Sequence, residues 1–83
     1  MRDKKSRKEV NQLTDTYELR REIEKAGIKY KFLAEQLGIT TYGLQKKIEN
    51  VNEFKASEIE KLSDILSLSV EKRMSIFFAI KGD

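Results

Sequence analysis

From Asp15 onward the apolar residues recur at helical rather than alternating spacing, and no proline interrupts them. Leu19, Ile23 and Ala26 stand at i, i+4 and i+7, one stripe of a first helix beginning near Asp15, where Asp15 and Glu18 have capping-box spacing. Gly27 ends it with a residue suited to a left-handed turn. A second helix over about 30–37 turns Leu33, Ala34 and Leu37 inward and stops at Gly38. Thr40 is the natural N-cap of a third helix over about 41–49, whose inward residues are Leu44 and Ile48. The loop Asn50-Val51-Asn52-Glu53-Phe54 leads to a fourth helix over about 56–66 with the stripe Ile59, Leu62, Ile65 and Leu66. Ser57 and Glu60 have capping-box spacing there, with a start two residues earlier as the other option. Ser69 caps a fifth helix over about 70–80 carrying Val70, Met74, Phe77 and Phe78. The fold class is all-α: five short helices around one core, in a domain over 15–83. Residues 1–14 hold only Val10 and Leu13 as apolar side chains after Met1, and read as a flexible basic N-terminal arm or a start-site extension.

Composition narrows the function. With 83 residues the chain makes one small domain. Its longest apolar run, Ile76-Phe77-Phe78-Ala79-Ile80, is far short of the roughly 20 residues a bilayer requires. No apolar stretch follows the charged N-terminus, so no secretory signal is read and a cytoplasmic location is expected. Cysteine and histidine are both absent, which excludes disulfides, thiolate zinc sites and nucleophile–histidine catalysis. Glu22, Glu24, Glu58 and Glu60 are spaced as solvated helix faces. The expectation is a non-enzyme with no cofactor, no metal, no membrane contact and no small-molecule substrate.

The net charge of +3 is unevenly spread. Residues 1–10 and 29–48 each carry an excess of +3, the latter from Lys29, Lys31, Lys46 and Lys47 against Glu35 alone. Residues 11–28 and 49–83 are mildly acidic. Segregated basic charge suits a polyanionic partner.

The second basic window coincides with the most informative stretch, Phe32 to Ile48. Ala34 is small enough for a crossing helix to pass close above it, Gly38 lets the chain turn within three residues, and Ile39 plugs the angle between the helices. Leu44 and Ile48 anchor the second helix of the pair. This is a helix-turn-helix, with an expected crossing of roughly 90–120° that pushes one helix outward. The outward face then carries Thr41, Tyr42, Gln45, Lys46 and Glu49. Gln45 suits bidentate pairing with adenine, and Lys46 suits guanine or a phosphate. Thr41 and Tyr42 lie at the end that enters the major groove first in such motifs. Base contacts are therefore expected from Thr41, Tyr42, Gln45 and Lys46. Phosphate contacts are expected from Lys29, Tyr30, Lys31, Thr40 and Lys47, and Glu49 falls at the far end, away from phosphate.

The same residues carry a family resemblance. From Leu19 to Phe78 the chain resembles the Xre/Cro-repressor type of phage helix-turn-helix domain, with Leu33-Ala34-Glu35-Gln36-Leu37-Gly38-Ile39-Thr40 and Leu44 matching its helix pair. Glu53-Phe54, Ser57-Glu58-Ile59, Ile65-Leu66-Ser67-Leu68-Ser69 and Ile76-Phe77-Phe78 are similar to small Cro-like regulators of phages and mobile elements of Gram-positive bacteria. The resemblance implies a five-helix, lambda-repressor-like domain that binds operator DNA as a dimer, with groove-facing positions at Thr41, Tyr42, Gln45 and Lys46. Two positions depart from the pattern. Tyr30 stands where the family often has a glutamine that braces the recognition helix and touches DNA. Asn50-Val51-Asn52 stands where it often has glycine, so an asparagine must supply any residue with positive φ.

In the arm, Arg2, Lys4, Lys5, Arg7 and Lys8 could follow the minor groove or raise nonspecific affinity. Ile76, Phe77, Phe78 and Ile80 cover nearly the whole circumference of the fifth helix, more than one core contact can bury, so that part of the set closes the core and the remainder is the expected homodimer interface. Two copies held about 34 Å apart would read a palindromic operator. The alternative is a protein-interaction module, an antitoxin or antirepressor-type partner that docks another protein through Phe77 and Phe78.

Overall fold

The structure, a computed structural model, describes residues 13–79. Those residues form five α-helices: α1 (Thr16–Ala26), α2 (Tyr30–Leu37), α3 (Thr41–Ile48), α4 (Ala56–Ile65) and α5 (Val70–Phe77). Most expected punctuation is in place. The Asp15 carboxylate accepts the Glu18 N–H, the Thr40 hydroxyl accepts the Gly43 N–H and the Ser69 hydroxyl accepts the Lys72 N–H. Gly27 and Gly38 end α1 and α2 at φ 69° and 73°, values open to glycine at no steric cost. None of the described helices is long and apolar enough to cross a membrane.

Two local expectations are corrected, and of the two starts open for α4 the earlier one is taken. Glu18 does not complete a capping box, because its carboxylate turns to Lys72, 2.9 Å away, while the Asp15 N–H donates to the Ile76 carbonyl. Helix α4 is capped two residues before Ser57: Glu58, not Glu60, reaches back to the Lys55 N–H at 2.8 Å. Helix α5 ends at Phe77 rather than near residue 80, since Phe78 leaves helical geometry and Ala79 pairs with Leu13 in an isolated antiparallel bridge.

Leu19 and Ile23 of α1, Leu33 and Ala34 of α2, Leu44 and Ile48 of α3, Leu62 of α4 and Ile76 and Phe77 of α5 are buried together, with Leu66 at the edge. Ala26, expected on the inward stripe, is exposed, as are Val70 and Met74. Ala26 lies in the last turn of α1, beside its Gly27 end. The Phe54 and Phe77 rings meet edge to face at 5.5 Å. Beside them lies a groove of about 500 Å³ walled by Phe54, Ile59, Phe77 and Phe78 and bounded by Thr14 and Asn50.

Leu13 and Thr14 belong to the segment assigned to the arm, yet both are hydrogen-bonded to the folded unit. Leu13 exchanges backbone bonds with Ala79, and the Asn50 side chain pairs with Thr14, accepting its N–H at 2.8 Å and donating to its carbonyl at 2.9 Å. The rest of the arm, including its five basic residues, lies outside the described residues, as does Ile80.

Asn50 also holds φ 67°, the asparagine expected in place of glycine. Asn50→Ala should lower stability by about 2 kcal/mol, combining left-handed strain with the lost side-chain hydrogen bonds to Thr14 and Thr16. Asn50→Gly removes the strain and should cost less. Urea unfolding of the three proteins measures both; equal losses for alanine and glycine would place the whole cost in the hydrogen bonds.

Candidate nucleic-acid interface

Helix α3 lies on α1 and α2, into which it sinks Leu44 and Ile48, both fully buried. The opposite face follows from the 3.6-residue period. Thr41 and Tyr42 are exposed, Tyr42 at 70%, and Gln45 and Lys46 are partly exposed beside them. The Lys46 ammonium sits 5.0 Å from the Tyr42 ring centre, so one turn of the helix presents an aromatic face and a cation as a pair. The Thr40 hydroxyl accepts the Gly43 N–H at 2.9 Å and keeps its own O–H as a donor at the exposed start of the helix. Gly43 permits this cap, as a Cβ there would lie 3.2 Å from the hydroxyl oxygen.

The start of α2 supplies a second element. Lys29 occupies its N-cap with no side-chain bond to the helix, and its first turn holds no acidic residue. The free N–H groups and positive dipole end are therefore flanked by exposed Lys29 and Lys31, a combination that favours an anion. Tyr30 is only partly exposed; it packs on the core and lies under the Arg20 guanidinium, 5.9 Å from the ring centre. Arg20 in turn pairs with Glu49 at 3.1 Å, just past the end of α3. A tyrosine with an arginine thus links α2 to the end of α3. Glu49 lies at the far end of α3, as its position in the period implies.

Two expected assignments change. Lys47 is not a free cation: its ammonium donates to both Glu58 carboxylate oxygens, at 2.6 and 2.8 Å, with the two side chains only 13% and 7% exposed. Its stem flanks the buried stripe of α3 and carries the charge inward to α4, so it is withdrawn from the phosphate contacts. Ile76 and Phe77, at 0% and 4% exposure, fill the core of the single chain and present no dimer interface or docking surface. Of that expected set, Phe78 alone among the described residues keeps part of its surface open.

Arg20 and Asn50 carry no site role in the sequence pattern, and Glu58, expected on a solvated helix face, is instead buried. For Glu58 a signal exists: it shares a stripe with Leu62 and Leu66, and a carboxylate in an apolar stripe requires a cation. The tie between Asn50 and Thr14 spans 36 positions and has no periodic signature.

Burial alone would push the Glu58 carboxyl up. The Lys47 ammonium bonded to it, the Lys55 N–H and the charges of both lysines outweigh that and hold it below its ordinary value of 4.5. Folded Glu58 thus binds protons less readily than unfolded Glu58, so its contribution is complete above the ordinary value and is lost as pH falls through the lowered one. Urea midpoints should fall as pH drops below about 4.5. Glu58→Gln should flatten that part of the profile; an unchanged acid limb would assign the loss to other carboxylates, Glu18 with Lys72 foremost.

A family model for the Cro/C1-type HTH DNA-binding domain matches residues 18–72, from the first turn of α1 into α5. No curated protein and no solved structure matches the chain significantly.

Proposed function

The chain belongs to the family of Cro/C1-type HTH DNA-binding domains, and from that premise we propose that it is a sequence-specific transcriptional regulator of the Cro/repressor kind that inserts α3 into the major groove of operator DNA. The observation that carries this reading is the two-sidedness of α3: Leu44 and Ile48 are sealed in the core, and Thr41, Tyr42, Gln45 and Lys46 reach solvent on the other side. Gln45 reads adenine through its amide, Lys46 reads guanine or a phosphate, and Thr41 and Tyr42 approach from the leading end of the helix. Lys29 and Lys31 hold the sugar-phosphate backbone with the open N–H groups of α2. The bound protein acts by occupancy, without chemistry.

A homodimer on a palindromic operator fits the small footprint of one helix. Its contact draws on the outward side of α5, where Val70 and Met74 stand one turn apart and strongly exposed.

Selection of bound sequences from a random duplex library tests the reading; an enriched palindrome is expected, and no enrichment would defeat it. On the selected duplex, Gln45→Ala should cost about 1–3 kcal/mol of discrimination against random DNA. Lys31→Ala should weaken both duplexes alike and reduce the steepness with which binding falls as salt rises.

A further inference from the structure

Glu58 is the single buried charged residue among the described residues, and its partner Lys47 lies on α3 between Lys46 and Ile48. A buried ion pair is a weak source of stability, since apolar side chains of similar volume often serve as well or better. Its geometry does more. The contacts of Leu44 and Ile48 are non-directional and tolerate some rotation of α3 about its axis. The Lys47 ammonium, bonded to both carboxylate oxygens at 2.6 and 2.8 Å, does not. The carboxylate is itself fixed, because the oxygen nearer Lys47 also accepts the Lys55 N–H at 2.8 Å. The last turn of α3 is therefore indexed to the first turn of α4.

We infer that Lys47 and Glu58 are specificity-determining positioning residues: they set the rotation of α3 and hence which atoms of Gln45 and Lys46 meet a base pair, without touching DNA. The inference rests on the DNA-binding reading above. It separates two roles that neighbouring lysines would otherwise share, Lys46 facing the duplex and Lys47 aiming the helix that carries it.

The test uses the whole chain and compares its affinity for the library-selected duplex with that for random duplex. Lys47→Met and Glu58→Leu together replace the pair by apolar groups, so no lone charge is left in the core and the variant should keep a cooperative thermal transition. Its affinity for random duplex should stay unchanged, while the ratio of selected to random affinity should fall by about tenfold or more. A retained ratio would overturn the inference and leave the pair a structural contact only. If the double variant does not fold, Glu58→Gln, which keeps shape and the acceptor for Lys55, gives the same comparison with the same two outcomes. A parent protein that selects no sequence would overturn the DNA-binding reading and this inference together, an outcome distinct from a parent that discriminates and a variant that discriminates equally.

Discussion

An eight-residue helix has too few internal hydrogen bonds to hold its own place, so α3 stays where its neighbours fasten it. Leu44 and Ile48 supply the apolar grip. The polar ties gather at the C-terminal end: Thr16 donates its hydroxyl to the Ile48 carbonyl, Asn50 clasps Thr14, Glu49 meets Arg20 and Lys47 meets Glu58. Among the described residues nothing comparable binds the first turn, where Thr41 and Tyr42 stand exposed behind the Thr40 cap. The helix is clamped at one end and presented at the other, and the presented end is the one that leads into a groove in this motif.

That division explains what could be read from the sequence. Periodicity and caps are local, and they located all five helices, the glycine stops at 27 and 38, and the inward pair of α3. The outward residues of α3 followed at once, because a helix with two buried positions has its remaining face determined. The interactions that were not legible join residues distant in the chain. The bridge of Leu13 to Ala79, the clasp of Asn50 on Thr14 and the pairing of Glu18 with Lys72 leave no mark in any window of a dozen residues. Each also changed a local expectation: the end of α5, the start of the folded unit and the cap of α1.

The apolar run near residue 76 divides between core and surface for a related reason. Ile76-Phe77-Phe78 looks too rich for one core if it is wound as an uninterrupted helix, since part of the circumference must then face water. Once the chain departs from helical geometry at Phe78, Ile76 and Phe77 can both turn inward, Phe77 against Phe54, and the surplus disappears. The outward stripe of α5 is carried instead by Val70 and Met74.

Charge is where sequence and structure part most usefully. Summed along the chain, Lys46 and Lys47 are equivalent. In the fold, Lys47 is spent on Glu58, and Arg20 on Glu49 and the Tyr30 ring. Lys29, Lys31 and Lys46 stand in no ion pair among the described residues. The basic window thus divides into three cations free to meet a polyanion, Lys29, Lys31 and Lys46, and one, Lys47, that ties α3 to α4. A free cation acts through counterion release, which is insensitive to sequence. A paired one acts through geometry, which is not, because rotating a helix within the groove changes every donor and acceptor it offers to the base edges.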